Sequence, residues 1–200
     1  MAVIYEQKKR KRSNPGRIIF AVAVIFMLAA VVFFCVKMIA PIKKMMYPLS
    51  CSDIIKKYAG QNGLPPSLVY AVARTESSFN KDAKSKVGAM GIMQITPDTF
   101  HWLQSKTGEE LPDGALYDPE TCVKYGTLLL RMNLEKFGGD ETAALAAYHA
   151  GRGKVDGWLD DKKYSDDGVK LKSIPPGETE KYVKKVLKTR DIYRELYVNN

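Results

Sequence analysis

The chain has 200 residues, 46% hydrophobic and 26% charged; these proportions suit one globular domain with an appendage and exclude wholesale disorder. A net charge of +9 would fit a nucleic-acid partner, but residues 1–44 hold nine basic side chains against one acidic, whereas the rest hold 22 against 21. The globular part is therefore nearly neutral, and nucleic acid is not an expected partner.

In chain order, residues 1–17 are a basic segment containing Lys8, Lys9, Arg10, Lys11, Arg12 and Arg17. Residues 18–36 follow as 19 positions without charge, Gly or Pro, a run that as a helix spans about 28 Å, close to the hydrocarbon thickness of a bilayer. A cleaved signal peptide has a shorter apolar core, of about 7–15 residues, ending in small side chains. Here Val32, Phe33, Phe34 and Val36 crowd the end of the run, and Cys35 lacks the small residues that precede a lipidated cysteine. A single transmembrane helix is expected, with the N-terminus in the cytoplasm because the heavier basic cluster precedes it. Residues 37–50, with Pro41 and Pro48, read as a linker to an outer domain over 51–197.

That outer domain reads as helices. Ser50 or Ser52 can cap a helix to about residue 60, with Ile54, Ile55 and Tyr58 on one face. Pro65 and Pro66 open a second, whose apolar period through Leu68, Val69, Val72 and Ala73 runs up to Glu76. Thr96-Pro97-Asp98 starts a third, burying Phe100 and Leu103, and Asp118-Pro119 a long fourth that Gly138-Gly139 stops. In the fourth, Cys122, Tyr125, Leu128, Leu129 and Met132 are expected inward. Asp140 caps a fifth over 143–150, and a last helix occupies 177–197. No alternating strand pattern or repeat stands out, so the domain is expected to be mainly α. Cys51 and Cys122 could form a disulfide outside the cell or remain two free thiols. Without a Cys-x-x-C or a pair of neighbouring His residues, no metal or other cofactor is expected.

Three segments are poorly explained by helix packing. Glu76 closes an apolar helix, where the dipole and any burial both raise its pKa, as a general acid requires. Residues 83–97 carry Gly88 and Gly91 among apolar residues, with Gln94 as an amide donor and acceptor. Residues 146–155 end a helix with Tyr148 and His149 before Gly151-Arg152-Gly153. Taken singly, each has a bland alternative: a solvated carboxylate, a buried irregular turn, and a glycine C-cap.

In order and spacing, these segments resemble the lytic transglycosylases of the soluble-transglycosylase type, which share a goose-lysozyme-like fold. The resemblance covers about residues 50–197. It rests on Glu76-Ser77-Ser78-Phe79 with Ala83 and Ser85, and on Gly88-Ala89-Met90-Gly91-Ile92-Met93-Gln94-Ile95-Thr96-Pro97 with Thr99. It rests also on Ala147-Tyr148-His149-Ala150-Gly151, on Ile174-Pro175 with Glu178-Thr179 and Tyr182-Val183, and on Tyr117-Asp118-Pro119. It implies a lysozyme-like domain with peptidoglycan as its partner; together with the expected transmembrane helix, this puts the domain on the wall side of a bacterial membrane. Glu76 would be the catalytic acid/base that cleaves between N-acetylmuramic acid and N-acetylglucosamine and closes a 1,6-anhydro ring. The substrate's 2-acetamido group would act as internal nucleophile, so no second carboxylate is required. Ser85 and Gln94 would hydrogen-bond the sugars. Gly88 and Met93 would line the cleft, Tyr148 would shape its floor, and Tyr182 would lie close to Glu76.

Two positions depart from the family pattern. His149 stands where the family has Asn, and Glu180 where it often has Arg. An imidazole titrates near neutrality, so altered pH dependence is expected. The competing readings are a hydrolase of the same bond, with Asp82 or Asp98 activating water, and a tethered wall-binding protein without turnover.

Overall fold

The computed structural model describes residues 15–197, which divide into two units between Tyr47 and Pro48. The first unit is one helix, α1 (Pro15–Met46), of which Val22–Met46 is long and apolar enough to cross a membrane. Most of its described side chains are bare: Phe20, Phe26 and Phe33 are 72%, 72% and 65% exposed. The expected linker at 37–50 differs, because the helix continues to Met46. Residues 37–46 carry good helix formers around Pro41, and a single proline removes one i→i−4 bond without ending a helix whose neighbours keep theirs. Lys8 to Arg12, on which the cytoplasmic assignment rests, lie outside the described residues.

The second unit contains seven α-helices among the described residues: α2 (Ser52–Gln61), α3 (Pro66–Ser77), α4 (Pro97–Thr107), α5 (Pro119–Lys136), α6 (Glu141–Ala150), α7 (Arg152–Leu159) and α8 (Glu178–Tyr197). A 3-10 turn, Asp113–Tyr117, precedes α5. The caps follow the local chemistry. Thr96 Oγ1 accepts from the Thr99 amide, Asp118 from Thr121, and Asp140 from Thr142 and Ala143; each satisfies donors that a helix start leaves orphaned. At α2 the expected serine cap is absent, and Cys51, in the left-handed region at φ 53°, stands at that position instead.

Helix α3 is the centre of the unit. Leu68 through Ala73 are all at most 3% exposed, so α3 is buried all round rather than along one stripe. It packs chiefly on α8 and also on α2, while α5 carries α2, α4, α6 and the 3-10 turn. The buried face of α5 is Cys122, Val123, Tyr125, Gly126, Thr127, Leu129, Leu130 and Asn133, with the expected Leu128 and Met132 half-buried. The ends of α3 and α8 meet head to tail: Tyr70 stacks on Tyr193 at 5.1 Å, and Glu76 touches Tyr182. The pair is therefore antiparallel, and the C-terminus of α3 faces the first turns of α8.

Candidate active site

Glu76 occupies the last turn of α3, whose end is held tightly. Ser77 Oγ donates to the Ile92 carbonyl at 2.8 Å, and the Ser78 amide donates to the Arg74 carbonyl at 3.0 Å. Ser78 and Phe79 both lie in the left-handed region, at φ 53° and 66°. For residues with a Cβ this conformation costs about 1–3 kcal/mol each and persists only where the surroundings impose it. Here Phe79 packs edge-on against Tyr70 at 6.3 Å and fixes the reversal. The chain thus turns away abruptly and leaves the Glu76 carboxyl at the mouth of the helix end.

That carboxyl accepts a hydrogen bond from Tyr182 Oη at 2.7 Å. Burial raises its pKa from 4.5 to about 7, against the opposing pull of the Tyr182 hydrogen bond and the Lys185 charge. At neutral pH the group is therefore divided between acid and base forms, as a residue that first gives and later takes a proton requires. The phenols around it stay protonated, since burial, with the nearby Glu76 charge, pushes Tyr148 and Tyr182 well above their usual pKa.

The segment 83–95 is a compact loop that shuts on itself. Met90 bridges to both Lys84 and Ile95, and the Gly91 amide donates to the Ala83 carbonyl at 2.9 Å. Gly91 admits no substitute: its φ is +73°, and an added Cβ would lie 2.0 Å from the Leu116 carbonyl oxygen. Gln94 Nε2 donates to the carbonyls of Ala83 and Gly91, at 3.1 and 3.0 Å, so its amide nitrogen serves the loop. Ser85 Oγ accepts from the Ala89 amide at 3.0 Å, which occupies a lone pair and leaves the hydroxyl proton for another acceptor. Gly88, at φ +82°, closes that turn and is half-exposed.

Met93 departs from the expected cleft lining. It is 0% exposed, with its side chain against Gly126 and its amide donating to Cys122 Sγ at 3.3 Å. Its side chain lies beneath the site, and what it presents is its carbonyl, which accepts from Tyr148 Oη at 2.8 Å. Tyr148 thereby ties α6 to the loop below Glu76. Cys122, fully buried in this contact, and Cys51 are free thiols.

His149 lies flat against Tyr182, ring centroids 4.5 Å apart, and its Nδ1 is 3.0 Å from Thr179 Oγ1. Burial lowers its pKa below 6.5, with Glu178 and Lys154 acting in opposite senses. Tyr148 and His149 also line a groove of about 390 Å³ that continues over Thr96, Trp102, Asn133 and Arg152. The structure thus joins Glu76, Tyr182 and His149 through direct contacts, with Tyr148 close enough for the Glu76 charge to act on it. It sets Ser85, Gly88 and Gln94 on the neighbouring loop. Asp82 and Asp98 are exposed, and neither contributes to the Glu76 shift. Among the described residues no cluster of His, Cys, Asp and Glu is arranged to hold a metal.

Sequence reasoning missed Lys185 and the trio Trp102, Asn133 and Arg152. Lys185 stands one turn beyond Tyr182 on α8, a helical spacing that could have revealed it. The trio comes from three helices and has no local signature.

The family model described as "Transglycosylase SLT domain" matches residues 53–169. The soluble lytic murein transglycosylase of Escherichia coli (strain K12) is 41% identical over 152 residues, which cover 74% of this chain and 23% of that protein. The membrane-bound lytic murein transglycosylase C of Actinobacillus pleuropneumoniae serotype 5b (strain L20) is 31% identical over 162 residues, 70% of this chain and 44% of that protein. An inactive Glu-to-Gln mutant of the lytic transglycosylase Slt from Pseudomonas aeruginosa superposes with a TM-score of 0.67 at 32% identity, covering 76% of this chain and 25% of the other. This chain therefore spans about a quarter to under half the length of these relatives.

Proposed function

The chain belongs to the transglycosylase SLT-domain family, and from that premise we propose that it is a membrane-anchored lytic transglycosylase of peptidoglycan with Glu76 as its acid/base. The observation that carries this is the half-ionised, half-buried Glu76 held by Tyr182, which stacks on His149 at the wall of an open groove. Protonated Glu76 gives its proton to the glycosidic oxygen between N-acetylmuramic acid and N-acetylglucosamine. The departing sugar leaves C1 electron-deficient, and the 2-acetamido oxygen of the muramoyl residue bonds to it. Glu76, now a carboxylate, takes the proton of the C6 hydroxyl as O6 displaces the acetamido oxygen. A 1,6-anhydro ring forms and Glu76 is reprotonated, so the cycle closes with no net proton change.

The single carboxylate is the feature that favours ring closure over hydrolysis. Among the described residues the charged side chain acting on Glu76 is Lys185, and no second carboxylate acts on it. Tyr182 steadies the carboxylate form between the two transfers. Ser85, Gly88, Gln94, Tyr148 and His149 form the sugar-binding surface, with Met93 supporting it from below. Helix α1 holds the domain at the membrane, with the N-terminus in the cytoplasm and the wall-facing domain outside; proteolysis of intact cells that spared the domain would contradict that orientation. For the activity, full-length protein is incubated with purified sacculi beside Glu76→Gln. Clearing by the parent and none by the variant supports the assignment, and equal clearing by both removes Glu76 from the chemistry.

A further inference from the structure

The far part of the groove holds residues that have no task at Glu76. Arg152 begins α7, and its guanidinium lies over the Trp102 ring, 4.6 Å from the centroid. Its Nε donates to Asn133 Oδ1 at 2.8 Å, and the fully buried Asn133 in turn donates from Nδ2 to the Ala144 carbonyl at 3.3 Å. The guanidinium is therefore fixed both across its plane and along one edge, a preorganised arrangement.

Among the described residues no Asp or Glu is within salt-bridge distance of this cation. Asp156, the acid whose charge acts on it, is instead 2.9 Å from Lys136, and no Asp or Glu lines the groove. Arg152 Nη2 is buried without a hydrogen-bond partner. A half-buried guanidinium with an unused donor is costly unless an acceptor arrives to satisfy it. With Nε committed to Asn133, the edge left for an acceptor is the pair of Nη groups, whose planar spacing matches a carboxylate.

We propose that Arg152, backed by Trp102 and Asn133, forms a carboxylate-recognition subsite in this groove, and that its ligand is a carboxylate of the muramoyl unit. The inference rests on the peptidoglycan cleavage proposed above and extends it from the sugar chain to what the sugar carries. The muramoyl unit offers a carboxylate on its stem peptide and, once the peptide is removed, on its lactyl group. Neutral N-acetylglucosamine offers none.

Binding to the full-length protein in detergent, carrying Glu76→Gln to prevent turnover, tests this by titration calorimetry. The probes are an N-acetylglucosamine tetramer, a muramoyl disaccharide with its stem peptide, and the same disaccharide with the peptide removed. Arg152→Gln is expected to weaken the carboxylate-bearing probe about tenfold, the loss of one charge-assisted hydrogen bond, while leaving the tetramer unchanged. Arg152→Lys, which keeps the charge without the fork, is expected to weaken it about threefold. Loss confined to the peptide-bearing probe places the contact on the stem peptide, and loss on the peptide-free probe places it on the lactyl group. Affinities equal to the parent in both variants, or losses in proportion for all three probes, overturn the subsite. A parent that binds no saccharide overturns the cleavage proposal as well. Normal saccharide binding that ignores Arg152 removes the subsite alone.

Discussion

The α3–α8 pair is joined near each end through a tyrosine of α8, and the two contacts do opposite things. At one end Tyr70 stacks on Tyr193, whose hydroxyl donates to the Pro48 carbonyl at 3.1 Å. Both rings are buried there, and burial keeps both phenols neutral. At the other end Tyr182 donates to a carboxyl whose pKa burial has raised to about 7, beside two consecutive residues in the left-handed region. One helix pairing thus supplies a stabilising end and an end that carries cost. The first makes the second tolerable, because an antiparallel pair anchored at Tyr70 can hold its other terminus in an unfavourable state.

Glu76→Gln should divide the two ends most sharply. Loss of the acid/base is expected to lower activity by about 10²–10⁴-fold, measured as release of soluble muropeptides. The same change should stabilise the protein above neutrality. Because folding raises the Glu76 pKa from 4.5 to about 7, the folded state keeps a proton that the unfolded chain releases between those values. Stability therefore falls as pH rises from about 4.5 to 7, by up to roughly 3 kcal/mol, and is level above. Denaturant titration should find the variant more stable than the parent at pH 8 and no more stable at pH 4. An equal difference at both would place Glu76 in an ordinary environment.

Tyr182→Phe comes next. Its hydroxyl favours the Glu76 carboxylate, so removing it should raise the Glu76 pKa further. A general acid is lost as pH rises through its pKa; the alkaline limb of the rate profile should therefore move to higher pH while the maximum falls about tenfold. An unmoved limb would separate Tyr182 from the proton transfer. Tyr193→Leu probes the opposite end, where an emptied aromatic site should cost about 2–3 kcal/mol in a denaturation midpoint and leave kcat unchanged. A matching loss of kcat would mean that the two ends are not separable.

The smallest effect is expected at His149. Burial holds it below pKa 6.5, so it is neutral at pH 8, and His149→Asn should alter the rate there by no more than about threefold. On acidification through its lowered pKa the parent gains a cation stacked on Tyr182 and should lose activity that the variant retains. Superimposable profiles would show that the imidazole charge does not reach the site.

Much of the fold could be read locally, because Thr96-Pro97, Asp118-Pro119 and Asp140 each announce a helix start by their own chemistry. The 3-10 turn and α7 escaped notice because both are short, and α7 begins at a Gly-Arg-Gly that resembles a loop. The candidate site was legible as a set of motifs, and the Glu76–Tyr182 contact spans 106 positions that spacing alone could not join. The burial of Met93 was not legible: the Gly126 notch that receives it lies on another helix, and apolar residues in a loop look alike whether they face a cleft or a core. The strain at Ser78 and Phe79 was hidden for a related reason, since Phe79 is held by Tyr70 rather than by its neighbours in sequence.

The central claim is that one carboxylate completes the reaction without water. It is tested most directly by digesting peptidoglycan with the full-length protein in water enriched in heavy oxygen and weighing the products. The account predicts muropeptides ending in a 1,6-anhydro ring, one water lighter than reducing-end fragments and free of label. Reducing ends carrying the heavy oxygen would contradict it, and would assign the protein to hydrolysis.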